Sequence, residues 1–184
     1  QTIEVVRTRA EPLGFEVIPQ GRLGIPEAEE PHCTFVENAL AKARHAAAHS
    51  GLPALADDSG LCVEALHGAP GVLSARYAGD PKSDARNNEK LLTHLKEHTN
   101  RKAHFYCVLV LVRAAHDPQP IIAEGEWPGE ILPEQQGEGG FGYDPLFFVP
   151  EFGQTAAEMD SETKNRVSHR GRAMQKLIER LPSL

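Results

Sequence analysis

Cysteine, positive charge and long apolar runs are all scarce in this sequence. Its 184 residues include only three cysteines, Cys33, Cys62 and Cys107, which are widely separated and odd in number. This spacing fits neither a disulfide framework nor a paired zinc motif, so we expect reduced, structural thiols. No apolar run approaches the length of a membrane span, and the first residues lack a signal peptide's basic start and apolar middle. We therefore expect a cytoplasmic protein.

The charge balance narrows the range of partners. There are 19 lysines and arginines against 26 aspartates and glutamates, so the formal net charge is -7. Binding to a nucleic-acid backbone needs a basic surface that this balance does not supply. A small phosphorylated substrate held through a metal is still compatible with it. The length predicts a single domain over residues 1–184, with room for two lobes and a substantial core.

Local patterns predict the main elements. Thr34-Phe35-Val36-Glu37 matches a capping box, so a helix is expected from there to about Ser50, with Gly51 as its stop. The run Phe105–Val112 is apolar on both faces, as in a central strand, and Ile121–Trp127 is expected to return beside it. Helices are also predicted over three further segments, residues 1–13, 84–98 and 173–181.

Two adjacent carboxylates follow a short apolar run. We predict a buried strand over residues 53–56 that closes in a turn at Ser59-Gly60. Adjacent side chains on extended backbone point to opposite faces, so Asp57 and Asp58 should not serve the same ligand. Carboxylates at a strand end commonly hold Mg²⁺ together with substrate phosphate. A simple acidic turn is the equally weighted alternative.

A second informative stretch is rich in glycine. Residues 137–145 hold four glycines within six positions, with Phe141 among them. An aromatic ring on such a loop is suited to stacking on a nucleobase, and a hairpin with a tucked-in ring is the alternative. Further along, His169 and Arg170 at a helix start could donate hydrogen bonds to an anion or a base carbonyl. The other interpretation of that pair is two solvent-facing polar residues.

The order of these motifs resembles that of the inosine triphosphate pyrophosphatase family, which hydrolyses non-standard purine nucleoside triphosphates such as ITP, dITP and XTP. Five segments covering most of the chain from about Gly14 onward carry the resemblance. They are Thr34–Ala39 with Lys42, Ala56–Leu61, Gly68–Gly71 with Ser74–Tyr77, Gly140–Pro145, and Ser168–Gly171.

The resemblance implies an α/β fold, in which a long twisted mixed sheet is flanked by helices and two lobes enclose a central nucleotide cleft. It also implies a homodimer and a Mg²⁺-dependent reaction that yields the nucleoside monophosphate and pyrophosphate. One rival interpretation is a Maf-like pyrophosphatase of modified pyrimidine nucleotides, against which Phe141 and the His169-Arg170 pair favour purines. The other is an inactive nucleotide-binding homologue.

The resemblance assigns roles at the phosphate end of the substrate. Asp58 is implied to be the catalytic acidic residue and, with Glu30, a metal ligand. Glu37 is the fallback for Glu30, because capping already explains Glu37. Ser59 and Lys42 are implied to contact the substrate, Lys42 through phosphate.

The resemblance also assigns a purine pocket. The Phe141 ring stacks on the base, and the pocket is lined by Gly142, Tyr143 and Asp144. Three donors read the purine edge: Lys164, His169 and Arg170. A 6-keto oxygen accepts hydrogen bonds from such donors, whereas the amino group of adenine does not.

One part of the family pattern is missing from the sequence. The family begins with a strand and a Ser/Thr-x-Asn-x-x-Lys loop that grips the triphosphate, whereas this chain begins with Gln1-Thr2-Ile3-Glu4. That start resembles the helix beyond the loop. We interpret the chain as lacking its natural start, and the alternative is a member that has lost part of its phosphate grip.

Overall fold

One sheet flanked by helices organises the chain. The computed structural model describes residues 11–181, in which the sheet has five strands in chain order. They are β1 (Ala54–Val63), β2 (Lys102–Val112), β3 (Ile121–Ile131), β4 (Phe147–Val149) and β5 (Gln154–Thr155). β3 pairs with β4, and β4 with β5, in antiparallel register. The predicted α/β class is confirmed.

Four α-helices accompany the sheet within residues 11–181. They are α1 (Phe35–Ser50), α2 (Asp84–His94), α3 (Ser161–Val167) and α4 (His169–Arg180). No helix of this range is long and apolar enough to cross a bilayer. Of the helix predicted over residues 1–13, all but a short 3-10 turn at Glu11–Leu13 lies outside the described residues.

The predicted start of α1 and its cap by the Thr34 hydroxyl are confirmed. The Thr34 hydroxyl oxygen accepts the Glu37 N–H at 3.3 Å, and the hydroxyl donates to the Glu37 carboxylate at 2.5 Å. Gly51 ends the helix at a φ of 70°, and its N–H donates to the Ala47 carbonyl. Positive φ suits glycine because other residues carry a Cβ that clashes there. Both ends of α1 therefore follow from local chemistry.

Two predicted boundaries are wrong. The Asp57–Gly60 segment is not a turn, because β1 runs through it to Val63. Leu61 and Val63 are fully buried, so continued strand pairing and burial outweigh the local turn signal. The last helix begins at His169 rather than Ala173, and so His169 and Arg170 belong to its first turn.

The described residues form two compact units. The first unit contains residues up to Asp58, 107–125 and from 170 onward, and the second contains 59–106 and 126–169. In the core of the first unit, Ala173 and Leu177 of α4 lie in one cluster with Cys107 and Leu109 of β2. The core of the second unit is more aromatic and includes Phe105, Trp127, Tyr143 and Phe147.

The structure supports the expected structural role for one of the three cysteines. None of the three is bridged, and Cys107 is completely buried. Burial, reinforced by the negative charge of Asp57, raises the pKa of the Cys107 thiol to about 12. A thiol with such a pKa is protonated at neutral pH and is a poor nucleophile.

Candidate functional site

In the first unit, one lysine bridges two predicted carboxylates. Lys42 Nζ donates to Glu30 Oε1 at 2.6 Å and to Asp58 Oδ1 at 3.4 Å. Lys42 lies two turns into α1, Glu30 lies in the loop before that helix, and Asp58 lies in the middle of β1. Folding therefore brings together three of the residues that the resemblance assigns to phosphate and metal.

Asn38 is a member of this cluster that sequence reasoning did not single out. Its Nδ2 donates to Asp58 Oδ2 and to the His32 carbonyl, both at 3.2 Å, and its Oδ1 accepts the His32 N–H at 3.0 Å. Asn38 is 1% exposed and lies four residues before Lys42, on the same helix face. One amide thus fixes both Asp58 and the chain two residues after Glu30. The sequence feature that could have pointed to Asn38 is its residue type, because asparagine is a poor helix former and here it lies between apolar positions of α1.

The cluster shifts the proton affinities of its two central groups. Burial raises the pKa of Asp58, although Lys42 and the Asn38 hydrogen bond pull it down. Burial alone would lower the pKa of Lys42, but the hydrogen bond to Glu30 and the charges of Asp58 and Glu30 outweigh it and raise that pKa. Lys42 is therefore a cation at neutral pH. Asp58 is a more basic carboxylate than a free one, which favours accepting a proton from water.

The neighbouring acid has a different partner. Asp57 Oδ2 lies 3.7 Å from the Nε of Arg170, and both side chains are partly exposed. Asp58 instead contacts Lys42 and Asn38, so the two adjacent acids have different side-chain partners, and that they serve different ligands remains a prediction. Ser59, the next residue on β1, is partly buried. A partly exposed ion pair at this distance adds little stability.

The cluster is compatible with a Mg²⁺ ion that is bound partly by protein carboxylates and partly by the phosphate oxygens of the substrate. Within residues 11–181, no group of three or more His, Cys, Asp and Glu side chains could by itself hold a metal. The Glu30 and Asp58 carboxylates nevertheless both contact the Lys42 ammonium, and Mg²⁺ usually takes one or two carboxylates plus phosphate oxygens. The Glu37 carboxylate is engaged by Thr34 at the start of α1, so its metal role remains the fallback.

In the second unit, a buried carboxylate organises the glycine-rich loop. Asp144 is 3% exposed, and its Oδ2 accepts the Phe141 N–H at 2.8 Å and an ion-paired hydrogen bond from Lys164 Nζ. The Nζ of Lys164 also lies 5.1 Å from the centroid of the Phe141 ring. Phe141 is 47% exposed. Folding brings these three predicted residues into one group, with the aromatic ring presented outward.

Two neighbours of Phe141 have structural constraints of their own. Gly140 has a φ of 75°, and a Cβ there would overlap the Asp144 carboxylate, so only glycine fits. Tyr143 is buried, and its hydroxyl donates to the Ser74 carbonyl at 2.7 Å. Burial raises the pKa of that phenol. Core packing and this hydrogen bond account for Tyr143, and its predicted place in the pocket lining remains a prediction.

Helix α2 supplies two residues that sequence reasoning missed. The Gly142 N–H donates to Asp84 Oδ2 at 2.7 Å, and Asn88 Nδ2 donates to the Gly142 carbonyl at 3.0 Å. The local signal at Asp84 is ordinary, since an acid in the first turn of a helix is explained by the helix dipole.

His169 is part of an aromatic stack. Its ring lies 4.9 Å from that of Phe105 with an interplanar angle of 13°, and 6.4 Å from Trp127 at 18°. His169 is only 7% exposed, so its interpretation as a solvent-facing residue is wrong. It packs on Phe105, whereas Phe141, Asp144 and Lys164 contact one another.

Comparison with known proteins gives consistent matches. Residues 4–180 match the model of the Ham1 family. A protein named dITP/XTP pyrophosphatase from Aromatoleum aromaticum is 67% identical over 92% of this chain and 86% of its own, and one of the same name from Nitrosomonas europaea is 62% identical over 92% and 84%. The structure of a HAM1 protein from Coxiella burnetii superposes with a TM-score of 0.96 at 47% identity, covering 99% of this chain and 93% of the other. The Staphylococcus aureus Ham1 protein gives a TM-score of 0.90 at 39% identity, with 98% and 93% covered.

Proposed function

The chain belongs to the Ham1 family, and we propose that it hydrolyses non-standard purine nucleoside triphosphates to nucleoside monophosphate and pyrophosphate. ITP, dITP and XTP are the proposed substrates, so the enzyme would remove them from the nucleotide pool. Relatives that are 58% to 67% identical carry the name dITP/XTP pyrophosphatase. The observation that carries the proposal is the buried Asp58 carboxylate of raised pKa, held beside Lys42, Glu30 and Asn38.

The phosphate chemistry is assigned to Asp58 and its neighbours. Asp58 orients a water molecule and accepts its proton as the water oxygen bonds to the α-phosphorus. The bond from that phosphorus to the bridging oxygen breaks, and pyrophosphate leaves with its electron pair. Lys42, a cation held by two carboxylates, binds phosphate, and Ser59 contacts the substrate. Positioning and charge stabilisation supply most of the rate, so few reactive side chains are needed.

Magnesium is the proposed cofactor. Glu30 and Asp58 would hold it, and the bound ion would neutralise charge on the triphosphate. Asn38 holds Asp58 by a side-chain hydrogen bond and the chain beside Glu30 by backbone hydrogen bonds. These contacts hold the Asp58 carboxylate and the backbone two residues after Glu30 before the substrate arrives. On the family resemblance we also propose a homodimer, and we propose a cytoplasmic location.

The second unit is assigned the base. Phe141 presents its ring for stacking, and its neighbours Gly142, Tyr143 and Asp144 shape the loop around it. On the family resemblance, three donors are proposed to read the purine edge: Lys164, His169 and Arg170. A 6-keto oxygen accepts from such donors, whereas the 6-amino group of adenine meets them donor to donor.

A substrate panel tests the proposed function. Pyrophosphate release should be at least about a hundredfold faster with ITP, dITP and XTP than with ATP, whose 6-amino group cannot accept from the proposed donors, at equal magnesium and subsaturating nucleotide. GTP shares the 6-keto oxygen and differs from ITP by its 2-amino group, so its rate reports whether that group is also recognised. Removing divalent ions with EDTA should stop the reaction, and magnesium should restore it. Preference for modified pyrimidine triphosphates would instead favour the Maf-like alternative. Tight ITP binding without turnover would favour a binding protein.

Replacing Phe141 by alanine should weaken substrate binding more than chemistry. Stacking of a base on an aromatic ring is worth about 1–3 kcal/mol, so the KM for ITP should rise about tenfold or more while kcat changes little. Because 47% of Phe141 is exposed, the melting temperature should stay close to that of the parent protein. An unchanged KM would remove Phe141 from the base site.

A further inference from the structure

Side chains of helix α2 hydrogen-bond to both the backbone N–H and the backbone carbonyl of Gly142, in the glycine-rich loop. Asp84 accepts the Gly142 N–H at 2.7 Å, and Asn88 donates to the Gly142 carbonyl at 3.0 Å. The two side chains are four residues apart in the helix, so they lie on one face, one turn from each other. Both groups of Gly142, which has a φ of 61°, are therefore fixed by a single rigid element.

The same loop is fixed from its other side. The N–H of Phe141 itself donates to Asp144 Oδ2 at 2.8 Å. Three backbone groups of Phe141 and Gly142 are thus held, and two of them, the N–H groups, flank the Cα that carries the Phe141 ring. Since 47% of Phe141 is exposed, core packing constrains this residue only in part, and these backbone contacts fix the direction in which its Cα–Cβ bond points.

The hydrogen bond from Asn88 to Gly142 is accompanied by an unfavourable contribution to stability. Its side chain is 3% exposed, and among the described residues its Oδ1 has no hydrogen-bond partner. A buried, unpaired amide oxygen disfavours folding, so an apolar side chain would suit this helix position better on stability alone. The Nδ2 contact to Gly142 is what the asparagine provides in return.

We propose that Asp84 and Asn88 are positioning residues for the purine base, which act by holding the Phe141 ring in the orientation that stacks. The inference rests on the proposed function, in which Phe141 stacks on that base. A ring that is already oriented loses less conformational freedom when the base binds, so the clamp lowers KM and has little influence on the chemical step. Neither residue needs to touch the nucleotide.

Asp84 is the better residue to test, because it is exposed and its replacement does not open the core. Asp84→Ala should raise the KM for ITP about fivefold and leave kcat within about twofold, as expected for one lost hydrogen bond. Asp84→Asn keeps an oxygen that can accept the Gly142 N–H and should restore most of the affinity. The matched control is Glu89→Ala, which removes the same charge from an exposed position on the same helix and should leave KM unchanged.

A double-mutant cycle separates this role from direct contact with substrate. In the Phe141→Ala background, Asp84→Ala should raise KM by less than about 1.5-fold, because the ring through which it acts is gone. A full fivefold rise in that background would overturn the proposal, and so would an unchanged KM for the single Asp84→Ala variant. A parent protein that binds ITP but does not release pyrophosphate would instead count against the proposed function.

Discussion

The Asp58→Asn variant is expected to lose about a thousandfold in kcat for ITP, since proton acceptance by a positioned carboxylate and its part in metal binding are lost together. Asparagine has nearly the same shape, and its oxygen can still accept from Asn38. Initial rates of pyrophosphate release at saturating ITP and magnesium measure the change. A variant with more than a tenth of the parental kcat would refute the catalytic role of Asp58.

The same variant should be at least as stable as the parent at neutral pH. Burial raises the pKa of Asp58 in the folded protein, so the folded state holds this proton more tightly than the unfolded state does. Such a group favours folding below its unfolded pKa of about 4, and this contribution is lost as the pH rises through the folded pKa. The charge therefore opposes folding at pH 7, and asparagine removes it. Melting temperatures at pH 7 and pH 3.5 should show the variant's advantage only at pH 7.

The adjacent acid provides a comparison for this test. Asp57→Asn removes the same charge from the next residue of β1, but the contact it loses is the one to Arg170. Its kcat should remain within about tenfold of the parent, since an exposed ion pair contributes at most about 1 kcal/mol. Equal loss in the two variants would mean that the strand as a whole, and not the Asp58 carboxylate, had been disturbed.

Lys42→Gln is expected to lower kcat/KM for ITP about a hundredfold or more, because the substrate loses a cationic contact and the two acids lose the ammonium between them. The contacts of Lys42 to Glu30 at 2.6 Å and Asp58 at 3.4 Å make it the cation shared by this cluster. Pyrophosphate release across a range of ITP concentrations measures this effect. A variant with unchanged kcat/KM would show that Lys42 is structural only.

The stability effect of Lys42→Gln should have the opposite sign to that of Asp58→Asn. The raised pKa of Lys42 stabilises the folded state at all pH values below the unfolded lysine pKa of about 10.4, and this contribution is lost as the pH rises through the folded value. The variant should therefore melt below the parent at pH 7. The matched control is Arg44→Gln, an exposed position on the same helix, which should change neither the activity nor the melting temperature.

Local patterns were enough for the elements that depend on near neighbours. The capping box and Gly51 predicted both ends of α1, and the doubly apolar run predicted β2, because caps and burial periodicity act within a few residues. The Asp57–Gly60 segment failed as a turn for the converse reason. Its Ser-Gly signal is local, whereas pairing and burial of a ten-residue strand depend on the rest of the sheet.

By itself, then, the sequence determined the α/β class, the family and the residue types available for phosphate and base recognition. Only the tertiary structure decided which residues support them. Asn38 reaches Asp58 across 20 residues of sequence, and Asp84 and Asn88 reach Gly142 across 58 and 54. Hydrogen bonds between such distant residues leave no periodic or adjacent pattern in the chain, because they depend on how whole elements pack.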